Sequence, residues 1–98
     1  MGEQVAVDER TVLRVRRAVE RAGPPAATVN EAAWRRSRDD LLDDFEAGRE
    51  AQVPPSRIRD LIDFLAEALP SQEARMNSRE WERAVTAITD ELLSLLSH

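Results

Sequence analysis

The chain has 98 residues, a formal net charge of −5 and no cysteine. This length suits one domain with a single modest core, and the missing cysteine excludes disulfide bonds, thiolate nucleophiles and cysteine-ligated metals. No apolar run approaches the roughly 18 residues that a membrane-spanning helix needs, and residues 1–10 lack a signal-peptide pattern. We therefore expect a cytoplasmic protein with no membrane partner. All 14 basic residues are arginine, a composition that is typical of GC-rich genomes and favours a bacterial source.

The first predicted helix spans residues 9–22 and follows a flexible arm over residues 1–7. Asp8 is a suitable N-cap residue for this helix. Gly23 stands where a C-cap residue is expected, and Pro24 prevents the helix from continuing. Apolar side chains recur at three- and four-residue steps and so share one face, namely Val12, Val15, Val19 and Ala22.

The second and third predicted helices span residues 29–47 and 55–69. Thr28 stands three residues before Glu31, which is the spacing of a capping box for the second helix. A proline at the first helical position starts the third helix, and Pro70 ends it. The apolar faces of the two helices consist of Trp34, Leu41, Leu42 and Phe45 in the second and Ile58, Leu61, Ile62, Leu65 and Leu69 in the third.

The fourth predicted helix spans residues 78–96 and is the most fully specified. Asn77 and Glu80 have the spacing of a capping box. Leu93 and Leu96 widen the apolar arc of this helix to about 160°. Its main apolar face consists of Trp81, Val85, Ile88, Leu92 and Leu95.

Four amphipathic helices with short connections predict an all-α fold, a compact antiparallel four-helix bundle in a single domain over residues 8–98. No segment alternates between apolar and polar residues with a period of two, so we expect no β-strand. The positions expected to be buried in the core include Ile62, Leu65, Ile88 and Leu92.

The first predicted helix carries an arginine stripe within about 60° of one face, formed by Arg10, Arg14, Arg17 and Arg21. Guanidinium groups in such a row suit phosphates or an acidic partner. A charge run is more often a solvated helix face. Both interpretations stay open at this point.

The second predicted helix carries two carboxylate pairs at four-residue spacing, formed by Asp39, Asp40, Asp43 and Asp44. No histidine stands near them and the Glu-x-x-His pattern is absent, so we expect no metal site. Arginines precede these aspartates, and this order opposes the helix macrodipole by a few tenths of a kcal/mol per charge. We expect compensation either from Arg10 and Arg14 in an antiparallel hairpin or from a basic partner.

Two pairs of residues are candidates for binding a partner. Trp34 and Arg35 belong to types that are enriched at interface hot spots, although a tryptophan on an apolar face is more often part of the core. Leu93 and Leu96 stand near the end of the sequence, where few residues are available to cover them. Each exposed leucine forgoes about 1.5–3 kcal/mol relative to full burial, and another protein or a second copy related by a two-fold axis would recover it.

No catalytic constellation is apparent in the sequence. His98 is the only histidine and the last residue, a position that does not hold a general base in fixed geometry. There is also no glycine-rich phosphate loop. We therefore expect no enzymatic activity and no cofactor. The sequence predicts a small helical protein-interaction module, either an adaptor or regulatory partner of a larger protein or a dimer.

The alternative is a nucleic-acid-binding regulator that uses the arginine stripe. A DNA-binding domain of this size usually carries a basic excess. Residues 1–27 contain five arginines and four carboxylates, which leaves a net charge of only +1. The overall acidic charge also opposes long-range attraction to nucleic acid, which is therefore the less favoured partner.

Overall fold

The computed structural model describes residues 6–26, 28–47 and 53–97. Four α-helices form, which are α1 (Glu9–Glu20), α2 (Glu31–Glu46), α3 (Pro55–Glu67) and α4 (Ser78–Leu96). They are joined by two short strands and a 3-10 turn, which are β1 (Ala22–Gly23), β2 (Leu69–Pro70) and Gln72–Ala74. The predicted helical class is confirmed. None of the helices among the described residues has the length and apolarity needed to cross a membrane.

The core is built by helices that each pack on two neighbours. α1 contacts α2 and α4, and α3 contacts the same two helices. The predicted apolar face of α1 is buried over its whole length, and Leu65, Ile88 and Leu92 are buried as predicted. The side chains that are at most 1% exposed are Val12, Val15, Val19, Val53, Ile58, Leu61, Leu65 and Leu92.

The helix starts follow local capping chemistry. Asp8 accepts a hydrogen bond from the Thr11 backbone N–H at 2.7 Å, and both bonds of the predicted capping box between Asn77 and Glu80 are present. The predicted start of α2 is wrong by two residues, because the cap is Asn30, whose side chain accepts from a backbone N–H at 3.0 Å. Asparagine caps helices at least as well as threonine, so Asn30 caps α2 in place of the predicted Thr28 capping box.

The prediction of no β-strand is wrong. Ala22 pairs with Pro70 and Gly23 with Leu69 in an antiparallel two-strand sheet, and the Ser71 backbone N–H donates to the Arg21 carbonyl at 2.8 Å. Strands this short need no alternating pattern, since the pairing depends only on the chain segments after α1 and α3 running side by side.

This sheet also explains why α1 and α3 each end two residues earlier than predicted, at Glu20 and Glu67 instead of residues 22 and 69. Gly23 is not a helix C-cap but a buried strand residue. A Cβ atom at Gly23 would lie 3.3 Å from the Ser71 Cα atom, so the strands approach closely at the glycine.

Two predictions about burial are also corrected. Leu69, expected on the inner face of the third helix, is 45% exposed because the chain has left the helix by that point. Ile62, expected to be buried in the core, is only partly buried and packs against it. Residues 1–5 of the predicted arm lie outside the described residues, and Val7, also assigned to the arm, is 5% exposed and belongs to the core.

Candidate interaction surface

An apolar groove lies between α3 and the last turns of α4. Its volume is about 430 Å³ and it is lined by Arg59, Ile62, Asp63, Leu93, Leu96 and Ser97. Leu93 is 47% exposed, whereas Ile62 and Leu96 are partly buried against the core. We term this feature the Leu93 groove. It brings both leucines of the predicted partner site together with an isoleucine from α3 that was assigned to the core.

The exposure of Leu93 follows from helical geometry. Leu92 is fully buried, and the next residue is rotated by about 100° around the helix axis, so Leu93 points to the flank of the core. Leaving about half of this side chain in water forgoes roughly 1 kcal/mol. Leu13 on α1 is similarly exposed, at 45%, but by helical spacing it stands between Arg10 and Arg17 and not among apolar residues.

Two opposite charges stand on the α3 side of the Leu93 groove. Arg59 and Asp63 are four residues apart, so their side chains lie on the same stripe of the helix, one turn from each other. Both are exposed, and within the described part of the chain neither forms an ion pair. The groove therefore has an apolar centre beside one exposed cation and one exposed carboxylate.

A second groove of about 420 Å³ lies between the end of α3, β2 and the start of α4. Trp81 is one of its lining residues and is 5% exposed, which confirms the predicted core placement. Its Nε1–H donates to the Ala68 carbonyl at 3.0 Å. The tryptophan thus satisfies a backbone acceptor that the end of α3 leaves free, and we assign it a structural role.

Trp34 lies in a different part of the molecule from Leu93. Its ring stacks on Phe64 of α3 with centroids 4.8 Å apart and planes at 22°, and the guanidinium carbon of Arg38 lies 5.8 Å from its centroid. Arg35 is exposed and lies 3.8 Å from Glu31 one turn earlier. Trp34 is partly buried and already packed against the chain's own side chains, so it offers less free surface than Leu93.

The arginine stripe is divided by the fold. Arg14 lies 3.3 Å from Glu91 of α4, and the Thr11 hydroxyl also contacts this carboxylate, at 3.4 Å. The remaining three arginines of the stripe are exposed and form no ion pair within the described residues, namely Arg10, Arg17 and Arg21. Arg16, which the sequence did not single out, lies 3.1 Å from Glu46 of α2. The sequence places Arg16 beside the apolar face of α1, but its partner depends on which helix packs against that face.

Within the aspartate cluster of α2, Asp44 is compensated from α3 and not from α1. Two nitrogens of Arg57, Nε and Nη2, lie 2.7 and 2.6 Å from Asp44 Oδ2. This hydrogen bond raises the pKa of Arg57. The predicted contact of Arg10 and Arg14 with Asp40 to Asp44 is therefore wrong, because Arg14 pairs with Glu91 and Asp44 with Arg57. Compensation within the chain, one of the two alternatives, is present for Asp44 in this different form.

No group of three or more histidine, cysteine, aspartate or glutamate side chains converges to hold a metal ion in residues 6–26, 28–47 and 53–97. His98 lies outside the described residues. The clefts on the described surface are lined by apolar side chains and by arginine–carboxylate pairs, as in the cleft between α1 and α2 that contains Arg16, Glu20 and Arg38. Among these clefts, the Leu93 groove is the one that contains both leucines of the predicted partner site.

Comparison with known proteins yields no relative from which a function can be transferred. No family model matches the chain, and neither a curated protein nor a solved structure matches it at a significant level.

Proposed function

We propose that this chain is a small, non-catalytic protein-interaction module that docks through the Leu93 groove. The observation that carries the proposal is the 47% exposure of Leu93 beside Ile62 and Leu96. Protein interfaces typically combine an apolar centre with a polar rim, and Arg59 and Asp63 supply such a rim here. An adaptor or regulatory partner needs a surface of this kind and no reactive group.

The scaffold that presents this surface is, in our proposal, an antiparallel up-and-down bundle. Two helix contacts support this arrangement. Trp34 stacks on Phe64 where the start of α2 meets the end of α3. The Trp81 side chain at the start of α4 binds the carbonyl of Ala68, just after α3. Such a bundle holds the two helices of the groove in a fixed relation.

The second candidate function is nucleic-acid binding through the arginine stripe. It is supported by the exposure of Arg10, Arg17 and Arg21. Three exposed arginines give few phosphate contacts, and each contact adds only about one unit to the salt dependence of binding. The net charge of −5 also repels the phosphate backbone at long range. We therefore rank this function second.

Site-specific photocrosslinking in the native cell tests the proposal. A photoreactive residue at Ser97, which lines the groove and leaves Leu93 in place, is expected to give a discrete protein adduct. A probe at Asp40, which is exposed on α2, serves as the matched control and should give none. Adding Leu93→Glu should abolish the Ser97 adduct, whereas Leu13→Glu, a substitution of an equally exposed leucine, should leave it unchanged.

The result that contradicts the proposal is the absence of a discrete adduct from Ser97. A nucleic-acid adduct from a probe at Arg17, lost on raising the salt concentration, would instead establish the second candidate. Because the probes stand on different helices, the two results are distinguishable in one set of strains.

A further inference from the structure

We propose that the partner in the Leu93 groove is a second copy of this chain, held by a two-fold interface in which Arg59 of each protomer pairs with Asp63 of the other. This inference rests on the proposed function and names the occupant of the groove. Its basis is the arrangement of charge beside the apolar residues of the groove.

The charges of the groove are complementary to themselves. We place a two-fold axis beside α3, perpendicular to the helix and level with the midpoint between Arg59 and Asp63. This axis brings two copies of the helix together side by side, and they run in opposite directions. Each arginine then faces the carboxylate of the other copy, and two reciprocal ion pairs form. Residues four apart on a helix have Cβ atoms about 5–6 Å from each other, which fits side chains that interdigitate across two packed helices.

A second copy also solves a problem that an arbitrary partner does not. Burying the groove takes Arg59 and Asp63 partly out of water, and an unpaired charge at an interface is costly. A partner surface of one sign would satisfy one of these groups and oppose the other. An isologous contact presents the same patch on both sides. Arg59 and Asp63 of one copy therefore each meet a group of opposite charge in the other copy.

The apolar part of the groove contributes to the same contact. Leu93 and Leu96 stand three residues apart on α4 and line one side of the groove, and Ile62 lies on the α3 side. In the two-fold arrangement these side chains come close to their counterparts. The exposed half of Leu93 then leaves water in both protomers, which is the gain that drives association.

The test is sedimentation velocity of the full chain over a range from low to several hundred micromolar. Wild type is expected to shift from monomer to dimer as its concentration rises. Arg59→Asp and Asp63→Arg should each raise the dimer dissociation constant about tenfold or more, since two like-charged contacts replace two ion pairs. Both side chains are exposed, and circular dichroism should show unchanged helicity in each variant.

Two further samples make the test specific for this interface. An equimolar mixture of the two variants should form a heterodimer, because every aspartate then meets an arginine. The double variant Arg59→Asp/Asp63→Arg should recover dimerisation to within about threefold of wild type, since the pairing is restored with reversed polarity. Asp40→Arg on α2 is the matched control and should leave the dissociation constant close to that of wild type.

General electrostatic repulsion gives a different pattern. Arg59→Asp makes the net charge of −5 more negative by two units and Asp63→Arg makes it less negative by two. Repulsion alone would therefore move dimerisation in opposite directions in the two variants, whereas reciprocal pairing weakens it in both. Opposite shifts, or a double variant that stays monomeric, overturn the proposed interface.

A wild-type chain that remains monomeric throughout overturns self-association but leaves the proposed function open to its own test. If the Ser97 probe then yields an adduct with a different protein, the interaction module stands and the occupant of the groove is that protein. If the Ser97 probe yields no adduct either, both proposals fail.

Discussion

The first two helices, α1 and α2, are held in the molecule in different ways. α1 buries an unbroken apolar face, with Val12, Val15 and Val19 at most 1% exposed. α2 buries only Leu41 and Phe45, and two ion pairs also join it to α1 and α3. The difference teaches that helix length is a poor guide to anchorage, because the longer helix is the one with the smaller buried face.

Charged contacts replace part of the missing apolar contact of α2. Arg16 of α1 reaches Glu46, and Arg57 of α3 reaches Asp44. All four side chains are partly exposed, and such pairs contribute roughly 0.2–1 kcal/mol each. A buried phenylalanine contributes several times more. α2 should therefore unfold locally more readily than α1, and its backbone amide hydrogens should exchange with solvent sooner.

The strongest test of this comparison is Phe45→Ala. Phe45 is 2% exposed, and it is the larger of the two side chains that anchor α2, so its removal should cost about 3–5 kcal/mol. Chemical denaturation measures the free energy of unfolding, and hydrogen exchange should show that α2 loses protection first. Leu42→Ala, at a partly buried position on the same helix, is the control and should cost less. Equal costs would mean that α2 is not anchored through Phe45.

Val15→Ala tests the other side of the comparison. Val15 is fully buried, but the substitution removes only two methyl groups, so we expect a cost of about 2 kcal/mol. Because α1 keeps Val12 and Val19, the loss should lower the global free energy of unfolding without selective opening of α1. Selective loss of amide protection in α1 would show that the packing of α1, like that of α2, depends on a single side chain.

Arg57→Gln should produce a smaller effect. The side chain of Arg57 is 35% exposed and that of Asp44 is 52% exposed, so loss of their ion pair should cost less than about 1 kcal/mol. The cost should shrink as the salt concentration rises, since exposed pairs are screened. Denaturation of wild type and variant at low and high salt measures this difference. A cost that exceeds that of Val15→Ala would reverse our ranking of apolar and charged contacts.

The smallest expected effect concerns the start of α1. The backbone N–H of Thr11, which donates to Asp8, is the main cause that lowers the pKa of this carboxyl from its ordinary value of 3.8. A lowered folded pKa contributes stability above the unfolded value, and this contribution is lost as the pH falls through the folded pKa. Asp8→Asn keeps a capping side chain but cannot titrate.

Thermal unfolding of wild type and Asp8→Asn measures this contribution. The difference in melting temperature should be constant above about pH 5 and should decline below pH 3.8. The comparison between the two proteins removes the effect of the other carboxylates, which titrate in both. A difference that stays constant down to about pH 2 would show that the charge of Asp8 does not contribute.

Much of the helical structure was predictable because its causes are local. The valines of α1 recur at helical spacing, and the Asn77–Glu80 capping box starts α4 at the predicted residue. Local chemistry was insufficient where two signals competed, as at Thr28 and Asn30. It also failed at the ends of α1 and α3, where each chain segment leaves its helix to pair with the other.

The candidate site was predictable only in part. Leu93 and Leu96 were singled out from the apolar arc of one helix, but the groove that they line also requires Ile62, which periodicity assigned to the core. Arg59 and Asp63 carry no distinguishing pattern in the sequence. They become informative only because α3 packs beside the end of α4.

The sequence by itself determined the helical class, the starts of α1, α3 and α4 and most of the apolar faces, since each depends on residues a few positions apart. Only the tertiary structure decided the short sheet, the partners of Arg14, Arg16 and Arg57, and the residues around Leu93. Those features depend on which helices are neighbours and at what register. A helix face specifies that it will be buried, but not which distant side chain will cover it, because that choice is made by the packing of the whole core.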